Sequence, residues 1–133
     1  MPTNSKKTTY NKTILVVEDE AAMLHALYDK FTLEGFYVEK ASNGREGMEI
    51  LREDKPDLIL LDVIMPTMDG VSMLKEVRSN PEYNAIPIII LSNLNPNDEV
   101  LYLVARSQPA YYLIKSETKL EALLAKVKSI LKL

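Results

Sequence analysis

Five short runs of apolar residues alternate along the chain with segments in which apolar residues recur at helical spacing. The apolar runs are TILVV at 13–17, FYVEK at 36–40, LILL at 58–61, PIIIL at 87–91 and AYYLI at 110–114. The third and fourth runs carry no charge, which is typical of central parallel strands buried on both faces. The second run alternates in part, as an outer strand does.

An amphipathic segment follows each run. The spacing predicts helices over 20–34, from Ser42 to Lys55, from Gly70 to Asn80, from Asn95 onward and over 116–133. Gly35 stands where a helix C-cap is expected, and Ser42 and Asn43 can cap the second helix. Five strands alternating with five helices predict an α/β fold with a parallel sheet and helices on both of its faces.

Length and composition indicate one domain. The 133 residues, 47% of them hydrophobic, can supply one sizeable core, and we predict a domain over 13–133 after a flexible polar N-terminal tail at 1–12. No apolar run approaches the roughly 20 residues that span a bilayer. The net charge of -3 gives no broad attraction to nucleic acid or anionic membranes. The absence of cysteine permits a cytoplasmic location, which we expect. The sequence leaves open whether the chain is a piece of a longer protein.

Polar residues end four of the predicted strands. Because the carboxyl ends of parallel strands share one edge of a sheet, we expect these residues to converge there. They are Glu18, Asp19, Asp62, Ser92 and Lys115. Three carboxylates at close range repel one another unless a cation lies among them, and hard oxygen ligands without Cys or His favour Mg²⁺.

Asp62 directly ends the central apolar run. A carboxylate in this position can simply cap a turn, or it can act as a nucleophile toward phosphorus and form an aspartyl-phosphate. Lys115 and Ser92 are then suited to donate hydrogen bonds to the phosphoryl oxygens.

Four motifs in the same order give the chain a resemblance to the receiver domains of two-component response regulators, in particular to single-domain chemotaxis regulators. The motifs are ILVVEDE, DLILLDVIMPTMDG, IIILSN and YYLIK, and the resemblance extends from Lys12 to the C-terminus. It implies a flavodoxin-like, doubly wound (βα)5 fold with strand order 2-1-3-4-5.

The resemblance also implies a function. Asp62 would accept a phosphoryl group from a phosphohistidine on a sensor histidine kinase or phosphotransfer protein, with Lys115 and Ser92 as catalytic partners. Asp19 and Asp62 would bind Mg²⁺ directly, Glu18 would bind it through water, and the backbone carbonyl of Ile64 would complete the site. Ser92 and Tyr112 would act as switch residues.

The expected partners follow from the same resemblance. The protein would be a signalling switch and not an enzyme, and the surface of its fourth helix, fifth strand and fifth helix would bind a downstream protein target. A phosphorylation-dependent homodimer is a further expected partner, whereas direct binding to nucleic acid or membranes is not expected.

Three positions depart from the family pattern. Ser116 follows Lys115 where the family usually has proline in a cis peptide bond, so this junction is either strained or trans and locally rearranged. Asn93 follows Ser92 where a small residue is usual, and we hypothesise that it slows hydrolysis of the phosphoryl group. Gln108–Pro109 stands where Gly-Ala is usual before the last strand.

Three alternatives remain beside this interpretation. A pseudo-receiver would keep the fold and bind partners without phosphorylation. A phosphatase resembling the haloacid dehalogenase group would need a second aspartate where Ile64 stands. A flavin carrier would need a phosphate-binding loop where Glu18, Asp19 and Glu20 would repel phosphate.

Overall fold

The computed structural model describes residues 9–63, 70–92 and 98–133, without the side chains of 98–100 and 103. The strands are β1 (Thr13–Val17), β2 (Tyr37–Ala41), β3 (Leu58–Asp62), β4 (Ile88–Ser92) and β5 (Tyr111–Ile114). The helices are α1 (Ala21–Glu34), α2 (Gly44–Glu53), α3 (Gly70–Ser79), α4 (Asp98–Ser107) and α5 (Leu120–Leu131). A short 3₁₀ turn at Lys115–Glu117 lies between β5 and α5.

All five strands pair in parallel in the order β2-β1-β3-β4-β5. This confirms the doubly wound, flavodoxin-like (βα)5 fold with strand order 2-1-3-4-5. The register places Val17 beside Leu61, and Asp62 beside Leu91. Ser92 lies beside Ile114, immediately before Lys115. The predicted polar strand ends therefore lie along one edge of the sheet.

Alternate side chains of each central strand feed two separate apolar clusters. One cluster packs the sheet against α2, α3 and α4, and it includes Leu15, Ile59, Met73 and Val104. The other packs the opposite face against α1 and α5. This division explains why the central strands show uninterrupted apolar runs, because both faces of the sheet are covered.

The prediction for the last helix was wrong at its start. Periodicity predicted a helix from Ser116, whereas α5 begins at Leu120. Lys115–Glu117 instead forms a tight turn that the backbone N–H of Thr118 closes on the carbonyl of Lys115. The described peptide bonds are all trans, so the Lys115–Ser116 junction takes the trans, rearranged alternative.

The ends of α1 and α2 follow the sequence signals. Gly35 adopts a left-handed φ of 112° at the C-cap of α1, a conformation that favours glycine. At α2, the side chain of Asn43 accepts a hydrogen bond from the N–H of Glu46, and the Glu46 carboxylate accepts one from the N–H of Ser42. This arrangement resembles a capping box, except that the glutamate accepts from the residue before the N-cap. The predicted start of α4 at Asn95 lies outside the described residues.

The last residues of the predicted N-terminal tail contact the domain. The N–H of Thr9 donates a hydrogen bond of 2.8 Å to the carbonyl of Gly35, and the ring of Tyr10 lies 4.8 Å from that of Phe36. Residues 1–8 lie outside the described part of the chain. Among the helices that the structure describes, none combines the length and apolar character that crossing a membrane requires.

Candidate functional site

Three carboxylates meet at the carboxyl edge of the sheet, as the sequence predicted. Glu18 and Asp19 directly follow β1, Asp62 ends β3, and carboxylate oxygens of all three lie within 4.8 Å of one another. Glu18 and Asp62 are buried, whereas Asp19 is exposed. The group therefore has two buried members and one that faces solvent.

Lys115 enters this carboxylate group from the end of β5. Its ammonium donates hydrogen bonds to Glu18 Oε2 at 2.8 Å and to Asp62 Oδ2 at 3.1 Å, and its side chain is only 7% exposed. A cation between two buried carboxylates offsets their repulsion and satisfies part of their hydrogen-bonding capacity.

Burial also changes the protonation of the group. Burial, the largest effect, raises the pKa of Glu18 to about 7, and the charge of Asp62 adds to it. Hydrogen bonds from Lys115 and from the N–H of Glu20 act in the opposite direction. For Lys115, burial is again the largest effect and lowers the pKa, but hydrogen bonds to Glu18 and Asp62 and their charges outweigh it and raise the pKa overall. Lys115 is therefore charged at neutral pH.

Ser92 and Tyr112 lie on the neighbouring strands. Ser92 is the last residue of β4 and is completely buried. Tyr112 of β5 packs against the cluster that contains Ile90 and Val104, and its hydroxyl is buried without a hydrogen-bond partner among the described residues. The structure thus puts Ser92 on the strand next to that of Asp62, and Tyr112 on the strand beyond it.

Two further predicted positions fall between the described ranges. Ile64 and Asn93 lie in the two internal stretches, 64–69 and 93–97, outside the described residues.

Gly70, the first residue of α3, lies directly against the end of β3. A Cβ added at Gly70 would lie 1.8 Å from the carbonyl oxygen of Asp62, so the two backbones are in close contact. The start of α3 therefore fixes the backbone that carries Asp62.

Two residues at the site were not assigned from the sequence. Glu20 donates its N–H to Glu18 Oε2 at 3.0 Å, and its carboxylate lies 3.9 Å from the Lys115 ammonium. The position of Glu20 in the acidic run after β1 was a sequence signal that it lies at the site. Thr118 hydrogen-bonds to the backbone on both sides of Lys115, and no pattern in the sequence indicated it.

The donor set suits Mg²⁺. Three carboxylates within reach of one ion, with no Cys or His among them, form the hard oxygen environment that Mg²⁺ prefers, and one exposed member leaves room for water ligands. The cluster therefore fits the ion on chemical grounds.

Comparison with known proteins identifies the family. The family model of the response regulator receiver domain matches residues 14–128. The chain therefore belongs to the response regulator receiver domains, which are signalling switches and not classical enzymes, and membership implies phosphorylation on an aspartate.

Individual relatives agree with this assignment. The response regulator MprA of Mycolicibacterium vanbaalenii is 31% identical over 90% of the chain, which spans 50% of that protein's length. The signal receiver domain of a signal transduction histidine kinase from Syntrophus aciditrophicus has a TM-score of 0.82 at 30% identity, covering 91% of this chain and 90% of that one. The chemotaxis protein CheY4 of Vibrio cholerae has a TM-score of 0.80 at 26% identity, covering 90% and 98%.

Proposed function

We propose that this protein accepts a phosphoryl group on Asp62 from a phosphohistidine of a sensor histidine kinase or phosphotransfer protein. The observation that carries the proposal is the position of Asp62. Its buried carboxylate lies within 4.8 Å of the carboxylates of Glu18 and Asp19 and 3.1 Å from the ammonium of Lys115. The proposal is supported by the presence of a buried aspartate, two further carboxylates and a cation at one edge of the sheet.

Glu18, Asp19 and Asp62 would hold Mg²⁺, with the carbonyl of Ile64 as a further ligand. When bound, Mg²⁺ neutralises charge on the carboxylates and on the oxygens of an incoming phosphoryl group. Asp19 and Asp62 would bind the ion directly, and Glu18 would act through a water molecule.

With Mg²⁺ bound, the transfer needs no reactant beyond Asp62 and the phosphohistidine donor. An oxygen of Asp62 forms a bond to phosphorus while the bond from phosphorus to the donor's imidazole nitrogen breaks, and the electron pair stays on that nitrogen. Lys115 would bind a phosphoryl oxygen as negative charge develops, and the Ser92 hydroxyl would donate to another.

Phosphorylation would control the binding of partners to the surface formed by α4, β5 and α5. A phosphoryl group favours the arrangement in which Ser92 and Lys115 both reach it, and Ser92 and Lys115 adjoin β5, which carries Tyr112. On this surface Leu101 and Tyr102 of α4 are exposed, as is Tyr111 of β5. A downstream protein or a second phosphorylated copy of the chain would bind there.

Because histidine kinases of two-component systems transfer phosphoryl groups inside the cell, the proposal includes a cytoplasmic location. Neither nucleic acid nor membrane is among the proposed partners, and the net charge of -3 agrees with that.

The proposal is tested by intact mass after incubation with acetyl phosphate and Mg²⁺. The protein should gain the mass of one phosphoryl group, and the gain should fail in EDTA and in Asp62→Asn. Asp29→Asn, which changes an exposed carboxylate of α1, is the matched control and should behave as the wild type.

Absence of any mass gain would contradict the proposal. Together with absence of Mg²⁺ binding by calorimetry, that result would favour the pseudo-receiver, which binds partners without phosphorylation.

A further inference from the structure

Thr118 holds the backbone on both sides of Lys115. Its hydroxyl donates a hydrogen bond of 2.8 Å to the carbonyl of Ile114, and its N–H donates one of 3.3 Å to the carbonyl of Lys115. Both bonds come from one residue at the end of the 3₁₀ turn.

The two acceptors belong to the peptide groups that flank the Lys115 α-carbon. Each peptide group is planar, so the orientation of its carbonyl sets one of the two backbone dihedrals of Lys115. Holding both carbonyls fixes the direction in which the Lys115 side chain leaves the backbone. A lysine side chain has four rotatable bonds, and a fixed starting direction reduces the number of conformations from which it must find its partners.

The far end of this side chain is the part that reaches the site. The ammonium contacts Glu18 and Asp62 at 2.8 and 3.1 Å. The Lys115–Ser116 peptide bond, which lies in this turn, is trans. The placement of Lys115 therefore relies on hydrogen bonds of the turn.

We propose that Thr118 is a positioning residue for Lys115, and that its hydroxyl orients the lysine for phosphoryl transfer to Asp62. The part of this inference that concerns the reaction rests on the proposed function. The part that concerns the geometry of Lys115 can be measured in the absence of any phosphodonor.

The test compares Thr118→Val and Thr118→Ala, which both remove the hydroxyl, with Thr118→Ser, which keeps it. Ser107→Ala is the matched control, because it removes a buried hydroxyl that donates to a carbonyl at 2.6 Å on a different element, α4. Two quantities are measured: the phosphorylation rate at saturating acetyl phosphate with Mg²⁺, and the nitrogen-15 signal of the Lys115 ammonium without donor. The ammonium signal is assigned by its loss in Lys115→Met.

We expect Thr118→Val and Thr118→Ala to slow phosphorylation by about two- to tenfold, the effect of one net hydrogen bond. Both should shift or broaden the Lys115 ammonium signal, with little change in the acetyl phosphate concentration that gives half the maximal rate. Thr118→Ser should restore both quantities, and Ser107→Ala should lower stability without changing either.

The inference is overturned if both hydroxyl deletions leave the rate and the ammonium signal unchanged, or if Thr118→Ser is impaired as much as Thr118→Val. Failure of the wild-type protein to gain a phosphoryl group overturns the proposed function instead. In that case the Lys115 ammonium signal alone decides whether Thr118 positions the lysine.

Discussion

The ammonium of Lys115 donates a hydrogen bond of 3.1 Å to Asp62 Oδ2, joining residues 53 positions apart in the sequence. The same ammonium bonds to Glu18, so two buried carboxylates share the single positive charge of one lysine. This contact links the ends of β3 and β5. The stability of the site therefore depends on the balance between its positive and negative charges.

Lys115→Met should therefore destabilise the protein most strongly when Mg²⁺ is absent. Leaving two buried carboxylates without their cation should cost about 3 kcal/mol, and Mg²⁺ should recover much of it by supplying another cation. Urea unfolding in EDTA and in millimolar Mg²⁺ measures both effects. Lys75→Met, which alters an exposed lysine of α3, is the control. A loss of the same size with and without Mg²⁺ would show that the lysine does not balance the carboxylates.

Gly70→Ala should displace the backbone that carries Asp62. The new Cβ would lie 1.8 Å from the carbonyl oxygen of Asp62, so the start of α3 and the end of β3 must move apart. We expect the free energy of unfolding to fall by more than about 2 kcal/mol, and phosphorylation to be slower.

Gly47→Ala is the matched control for this substitution. The Cβ of the new alanine would meet the flexible end of Met73 at 2.8 Å. Inside a helix, alanine is more stabilising than glycine by about 0.8–1 kcal/mol. The net change should be within about 1 kcal/mol by urea unfolding. Equal losses for the two variants would contradict the close approach at Gly70.

Glu39→Gln should stabilise the protein at neutral pH. Burial, and then the charge of Asp54, raise the pKa of Glu39, and its Oε1 is buried without a hydrogen-bond partner among the described residues. The folded state therefore binds the proton more tightly than the unfolded state, and stability falls as pH rises from the unfolded pKa through the folded one.

The gain from Glu39→Gln should be up to about 1 kcal/mol at pH 7 and should vanish at about pH 3, where the carboxyl group is protonated in both states. Urea unfolding at both pH values gives the difference. Glu49→Gln, at an exposed position of α2, should show no such pH-dependent gain. A constant gain at both pH values would mean that charge is not the cause.

Tyr10→Ala should weaken the packing of the N-terminal segment on α1 and α5. The Tyr10 ring lies against Phe36, and the ammonium of Lys128 lies 5.5 Å from the Tyr10 ring centroid. We expect a loss of about 1–2 kcal/mol in urea unfolding. Tyr37→Ala, at a tyrosine that is 52% exposed, should cost less. If the two variants lose the same stability, Tyr10 does not contribute to the core.

The sequence predicted the strands well because their cause is local. Uninterrupted apolar runs such as 58–61 follow from burial on both faces, and the observed strand bounds differ from the predicted ones by at most one residue. The convergence of Glu18, Asp62 and Lys115 was predictable for a related reason, since parallel strands bring their carboxyl ends to one edge.

Other features depend on contacts that periodicity does not record. The helical pattern after Lys115 continues without a break, so the turn closed by Thr118 was missed and the start of α5 was placed too early. Arg78 is a second example, because it donates to the carbonyls of Ile86 and Ser107 and so connects the segment before β4 to the end of α4. A lone arginine in a helix gives no sign of such distant acceptors.

The measurement that tests the central claim most directly locates the phosphoryl group at residue level. Protein treated with acetyl phosphate and Mg²⁺ is reduced with borohydride, which converts an aspartyl-phosphate to homoserine, and its peptides are then sequenced by mass spectrometry. We predict homoserine at position 62 and its absence without Mg²⁺. A label on another carboxylate, such as Asp19, or no label at all, would contradict the assignment of Asp62 as the phosphoryl acceptor.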